Sequence, residues 1–330
     1  MVTKTGGQHI TYHTIKLKEI TMGHIGTIIE KCRQTIGMSR KELAEDICSE
    51  KYIYLIEKGE RTPSVSLLNL IGERMGVYLF GFYAYIDCED PVGVKEKMKL
   101  FHMCRINLDF EVLNNATEQA ENISDFRSKP WCFEIVLNKI YNMVFEEKRY
   151  AEALLQLETL IKEVESYEVS DIFLVNAYTL TTTCALVTMD VDIARDAAIR
   201  AYEIIQGNHD IELYDQLLTK VTVNLMGAHY SSNEMDDVIE RGKELIRIKQ
   251  SRDSYGKIHF IYMFMALAHY VKNQWDEAVI CLKKAVYFLM ADNKPEDVSF
   301  IALDGRFRAM LDDLSPYSEI IDYFRKEYRV

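Results

Sequence analysis

No apolar run in this chain approaches the ~20 residues that a membrane-spanning helix needs. The first twenty residues, MVTKTGGQHITYHTIKLKEI, lack the continuous apolar core of a signal peptide. Together these absences predict a cytoplasmic protein. The seven cysteines, Cys32, Cys48, Cys88, Cys104, Cys132, Cys184 and Cys281, are odd in number and form no C-x-x-C. That excludes a disulfide framework and the usual zinc spacing, and it fits reduced thiols. The eight histidines include no H-E-x-x-H, and His259 and His269 stand ten residues apart. Glycine-rich phosphate loops, G-x-S-x-G and paired catalytic carboxylates are also missing. No enzyme activity, metal or cofactor is therefore expected.

Positive charge is in short supply, and its distribution is uneven. The net charge is −12. Residues 1–75 hold 11 Lys+Arg against 9 Asp+Glu, a net of +2, so the remainder carries −14. Only the first part has a balance suited to a polyanion. The 5 prolines, 20 tyrosines and 14 phenylalanines fit a soluble helical protein with large side-chain contacts.

The stretch that organises the chain is Met38–Gly59, MSRKELAEDICSEKYIYLIEKG. Ser39 and Glu42 form a capping box that starts a short helix with Leu43 and Ile47 inward. Ser49 caps a second helix with Ile53 and Ile56 inward, and Gly59 fits the position just past its end. Two short helices with about three residues between them predict a helix-turn-helix, the second helix entering the DNA major groove. Ile25, Ile28, Ile29, Cys32 and Ile36 form one helical stripe before it. Pro63-Ser64 opens a further helix with Leu67, Leu68, Ile71 and Met75 on one side. The expected module runs from residue 22 to 76, after a lead of residues 1–21 read as disordered, with Met22 a possible native start. Residues 77–91 are read as a linker, with a short helix through Tyr78, Leu79, Phe82 and Ile86.

From 92 to 330 a repeat emerges at Phe110, Tyr150, Ala194, Met235, Trp275 and Tyr317, spaced by 40, 44, 41, 40 and 42 residues. Two helix-length segments lie between successive anchors. This is the signature of a solenoid, here of about six helix pairs. The expected fold class is all-α.

IGTIIEKCRQTIGMSRKELAEDICSEKYIYLIEKGERTPSVSLLNLIGERMGV resembles the XRE-type DNA-binding domain, and LAEDICSEKYIYLIEKG resembles the PlcR and Rgg kind more closely. The W/Y-x-E-A starts resemble the second helix of a tetratricopeptide repeat. The whole is similar to the peptide-pheromone (quorum-sensing) regulators of Gram-positive bacteria, the RRNPP family. That resemblance implies a right-handed solenoid, a homodimer, a DNA target and a short peptide held in the concave groove. It implies an ion pair between Arg33 and Glu57. It places Arg40, Ser49, Glu50, Lys51 and Tyr54 at the DNA, where Glu50 would repel phosphate but could accept from cytosine N4. It also implies groove asparagines that hold peptide main chain, since an amide both donates and accepts. Asn224, within VTVNLMGAHY, is the best match, followed by Asn138, Asn142 and Asn176, with Lys220 and Tyr262 beside them. The alternatives are a DNA-binding regulator whose repeats hold a protein partner, or a Rap-like phosphorelay-binding protein.

Overall fold

The structure is a computed structural model and describes residues 24–208, 213–292 and 305–328. The predicted lead and Met22 lie outside the described residues. Two compact units meet at Glu96 and Lys97. Among the described residues every regular element is helical, and no helix is long and apolar enough to cross a membrane.

The first unit contains α1 (Ile25–Thr35), α2 (Arg40–Ala44), α3 (Glu50–Glu57), α4 (Val65–Met75) and a 3-10 helix (Leu79–Tyr85). Three serines start three of these helices. Ser39 accepts from the Glu42 N–H while Glu42 returns to the Ser39 N–H, a complete capping box. Ser49 accepts from Tyr52 N–H and Ser64 from Leu67 N–H. Each cap satisfies a donor that the first helical turn would otherwise leave open. Gly59 and Gly76 end α3 and α4 in the left-handed region. Ile28 and Ile29 of α1, Leu43 of α2, Ile53 and Ile56 of α3, and Ile71 of α4 are fully enclosed in one core. Gly26 permits the tight crossing of α1 over α3, since a Cβ there would sit 1.8 Å from the Ile56 carbonyl oxygen.

One expectation needs correction here. Helix α2 stops at Ala44 rather than Ile47, because Asp46 takes φ 57 and breaks the turn. Residues 77–91, read as a linker with a short helix, carry the 3-10 helix Leu79–Tyr85 packed on the first unit. Leu79 and Phe82 are buried in the first core, and Lys31 ties Asp90 to α1 at 3.1 Å.

The second unit begins within α5 (Pro91–Asn107) and continues through α6 (Phe110–Ala120), α7 (Cys132–Phe145), α8 (Tyr150–Val164), α9 (Asp171–Thr188), α10 (Val191–Gly207), α11 (Tyr214–Ser231), α12 (Met235–Ser251), α13 (Ile258–Val271), α14 (Trp275–Asp292), α15 (Gly305–Leu314) and α16 (Glu319–Tyr328). These are six helix pairs. From α6 to α14 each helix touches the next, and the first helices of successive pairs also touch, α7 on α9, α9 on α11 and α11 on α13. That is the layering of a repeat array, in which each pair buries its face against the next.

The repeat has a backbone mark. Leu108, Lys148, Met189, Asn233 and Asn273 all take positive φ, each two residues before a second helix. Phe110, Tyr150, Met235 and Trp275 are the first residues of their helices, as the spacing predicts. Ala194 is not: α10 starts three residues earlier, at Val191. The buried alanine stripe Ala194, Ala197, Ala198 and Ala201 imitates the motif one turn late.

Candidate functional site

In the first unit, α3 divides into two faces. Ile53, Ile56 and Glu57 point inward; Ser49, Glu50, Lys51 and Tyr54 are exposed. The inward end is an ion network. Arg33 Nε donates to Glu57 Oε1 at 2.7 Å, Nη2 donates to Glu57 Oε2 at 3.2 Å, and Nη1 donates to the Met38 carbonyl at 2.8 Å. The Glu57 side chain is wholly enclosed. A two-pronged arginine–carboxylate contact fixes both direction and distance, so α1, the α1–α2 turn and the end of α3 are locked together.

Arg40 was expected at the DNA surface, and the structure employs it differently. Its Nε donates to Glu57 Oε2 and its Nη2 to Glu30 Oε1 at 3.1 Å. Its guanidinium also lies 5.3 Å from the Tyr54 ring centre. The reason is geometric: Glu57 has more lone pairs than Arg33 can fill, and Arg40 takes the remainder. Arg40 thereby acts on Tyr54, holding the ring at the exposed face. The sequence motif alone pairs Glu57 with one arginine, whereas the network contains two.

In the second unit, the predicted ligand residues fall into two groups. Asn138 is almost fully buried. Its Oδ1 accepts from Arg105 Nε at 2.8 Å and its Nδ2 donates to Thr117 Oγ1 at 2.9 Å. Asn176 is equally buried, accepting from Tyr141 Oη and donating to the Ile172 carbonyl. Asn142 accepts from Asn114 and donates to Glu147. All three amides therefore have partners within the chain, Asn138 and Asn176 in the interior and Asn142 at a half-exposed position. Tyr262 is nearly buried, stacked on Phe288 at 6.0 Å with Lys284 over its ring. Asn224 differs. It is half-buried, and its amide makes no hydrogen bond among the described residues.

Arg105 organises this region and was missed from the sequence. It is fully buried, pairs with Glu134 Oε2 at 2.7 Å and lies against Phe101 and Tyr141. Lys220 of α11 completes the arrangement. Its Nζ donates to the Arg105 carbonyl and to Tyr141 Oη, both at 3.2 Å. The Arg105 carbonyl belongs to the last turn of α5, where intrahelical donors run out, so a lysine is a natural partner. Burial of the ammonium, with Arg105 nearby, pushes its pKa down to about 7. Burial likewise pushes the Tyr141 hydroxyl up, so that group stays neutral and a donor to Asn176. A histidine motif also recurs: His229 meets Glu234 at 2.6 Å and His269 meets Gln274 at 2.7 Å, one repeat apart. Glu234 is further held by Arg195 at 2.8 Å. Because glutamine replaces the carboxylate in the second copy, this is a turn lock shared by two repeats.

Residues 29–82 match the helix-turn-helix family. The first unit is a helix-turn-helix domain. The match spans α2 to α4 and reaches into the 3-10 helix as far as Phe82, in agreement with the buried Leu79 and Phe82. Compared with curated proteins, the chain has no match. Among solved structures, it is similar to Bacillus thuringiensis PlcR in complex with the peptide PapR7 and DNA, with 18% identity, 82% of this chain and 96% of that chain covered, and a TM-score of 0.62. S. thermophilus ComR in complex with DNA and its signalling peptide gives 16% identity, 88% and 98% coverage, and a TM-score of 0.49. The likeness to PlcR shows a shared fold: a helix-turn-helix domain followed by a helical repeat domain.

Proposed function

We propose that this chain is a cytoplasmic transcription regulator that binds duplex DNA through α3 of its helix-turn-helix domain and responds to a short peptide bound by its repeat domain. The observation that carries this reading is the order of parts. A helix-turn-helix with an exposed Ser49–Glu50–Lys51–Tyr54 face is joined to the fold of PlcR, which was crystallised with a peptide and DNA. One such helix buries too little surface for tight specific binding, so the chain is read as a homodimer on two half-sites about one helical turn apart. The peptide acts through unequal affinity for two arrangements of that dimer. Catalysis has no part in this account.

One observation favours a second reading, a protein partner on the repeats. Asn138, Asn142 and Asn176 are all engaged internally, which leaves Asn224 as the free amide among the four. The experiment that separates the readings selects bound duplexes from random-sequence DNA with the purified full chain. Binding is then followed by fluorescence anisotropy as synthetic peptides, drawn from any short reading frame found beside the gene, are added. A two-half-site duplex whose affinity moves with one peptide supports the proposal. DNA binding that no peptide alters, together with tight co-purification of a protein, favours the second reading. No selected DNA at physiological salt overturns both.

A further inference from the structure

Tyr54 is the one large apolar side chain of α3 that stands exposed, with 42% of it accessible. Lys51 lies three residues before it and Lys58 four after, both exposed, so the three share the outward face. The lysines suit phosphate; the ring between them does not. Arg40 of α2 holds that ring. Its guanidinium lies 5.3 Å from the ring centre, and it is itself tied to Glu57 through Nε and to Glu30 through Nη2. Glu57 is wholly enclosed and anchored in turn by Arg33. A line of contacts thus runs from a buried carboxylate to an exposed aromatic ring. A cation over an aromatic face attracts it electrostatically. Arg40 cannot turn to a phosphate without leaving both carboxylates.

We propose that Arg40 is a positioning residue for base reading: it fixes the Tyr54 ring so that the ring meets the 5-methyl group of a thymine in the major groove. This rests on the DNA reading above and names the base feature that α3 takes. Thymine carries the one methyl group that the four bases offer there. The guanidinium lies on one side of the ring, so the other side and the edge remain for the DNA. A ring free to change rotamer gives up that freedom on binding, whereas a ring already held does not. The clamp therefore turns an exposed tyrosine into a preference for thymine. Because both of its ion pairs stay within the domain, Arg40 neutralises no phosphate and adds nothing to the salt dependence of binding.

The test uses the full chain and the duplex it selects from random-sequence DNA. Each thymine of that duplex is replaced in turn by deoxyuridine, which removes only the methyl. In wild type, one position per half-site should lower affinity about fourfold, and the two half-sites together about 15-fold. Tyr54→Phe should keep that preference and Tyr54→Ala should lose it. Arg40→Met should reduce it to less than about twofold while the slope of log affinity against log salt stays at the wild-type value. Arg40→Lys should behave alike, since a compact ammonium cannot hold both carboxylates and cover the ring. Hydrogen exchange at residues 25–85 checks that each variant is folded; if Arg40→Met is not, Arg40→Lys, which keeps the charge beside Glu57, decides the matter. Uracil tolerated at every position by wild type would overturn the proposal and leave the DNA reading standing, as would an undiminished preference in the folded Arg40 variants. A slope lowered by about 0.9 in Arg40→Met and restored in Arg40→Lys would make Arg40 a phosphate contact and overturn it too. No selected duplex would overturn both.

Discussion

The two units each bury an arginine against a carboxylate, and they balance the charge differently. In the helix-turn-helix domain, Glu57 serves both Arg33 and Arg40, and Glu30 stands at the outer end of Arg40. Two cations meet two anions, and Arg40 remains partly in solvent. In the repeat domain, Arg105 pairs with Glu134, while Lys220 meets only a carbonyl and a phenol and has no carboxylate partner among the described residues. The first network is closed and fixes geometry. The second is one anion short, and the unoccupied amide of Asn224 lies a turn away from the unmatched ammonium.

The harshest way to break the comparison is to unbalance the closed network. Glu57→Ala strands Arg33, a loss of about 3–5 kcal/mol, comparable with the whole reserve of a small domain at roughly 0.05–0.15 kcal/mol per residue. Hydrogen exchange should show residues 25–85 unprotected and the repeats unchanged; full protection in both units would make the network dispensable. The open network should respond in the opposite sense. Replacing Lys220 with methionine removes a strained charge. For the wild type, the unfolded chain holds the lysine proton up to about pH 10.4, while the folded chain releases it near 7. The unfolded state therefore binds more protons in that window, and stability contributed by this group rises with pH from about 7 to about 10.4. The penalty is complete below pH 7. Denaturant melts should show Lys220→Met gaining on wild type as pH falls, with the difference vanishing above pH 10. Taking the difference between the two proteins cancels groups that Lys220 does not touch, such as the buried Cys184, whose raised value acts with the other sign.

Within the repeat domain, two asparagines should separate cleanly. Asn224→Ala should leave melting unchanged and cost ~2–4 kcal/mol of peptide affinity, which is ~30–1000-fold. Asn138→Ala should instead destabilise the fold by ~1–3 kcal/mol, because Arg105 and Thr117 lose their partner inside it. Calorimetry beside thermal melts decides the matter; equal melting of both variants would contradict the division. The smallest effect belongs to the exposed face of α3. Lys51→Ala should leave stability untouched and lower the slope of log affinity against log salt by about 0.9, one phosphate contact. An unaltered slope would place the DNA elsewhere.

What the sequence displays and what it hides follow from range. The capping box of Ser39 and Glu42, the caps Ser49 and Ser64 and the ends at Gly59 and Gly76 are local, so a few residues suffice to read them. The repeat is legible because its period is regular. It misleads where the alanines of α10 carry the same pattern one turn late, and at Tyr317, which ends a 3-10 turn two residues before α16. The site is harder. Asn138 looks like a ligand group because its partner Arg105 lies 33 residues earlier on another helix. Lys220 and Arg105 are 115 residues apart. Arg40 has no motif that would reveal its hold on Glu57, since α2 and α3 meet only after the turn at Asp46 is made. Charge balance is a property of the folded neighbourhood, and no periodicity reports it.

The most direct test of the unbalanced network is the titration of one amine in the unliganded protein. The chain is labelled with 13Cε-lysine, and the Lys220 resonance is assigned by its absence in Lys220→Met. Its chemical shift is then followed from pH 5 to 11. The account predicts a midpoint near 7, well below the ordinary lysine value of about 10.4. A Lys220 midpoint at the ordinary value would mean that the ammonium is already compensated or solvated. The distinction between a closed network and an open one would then fall.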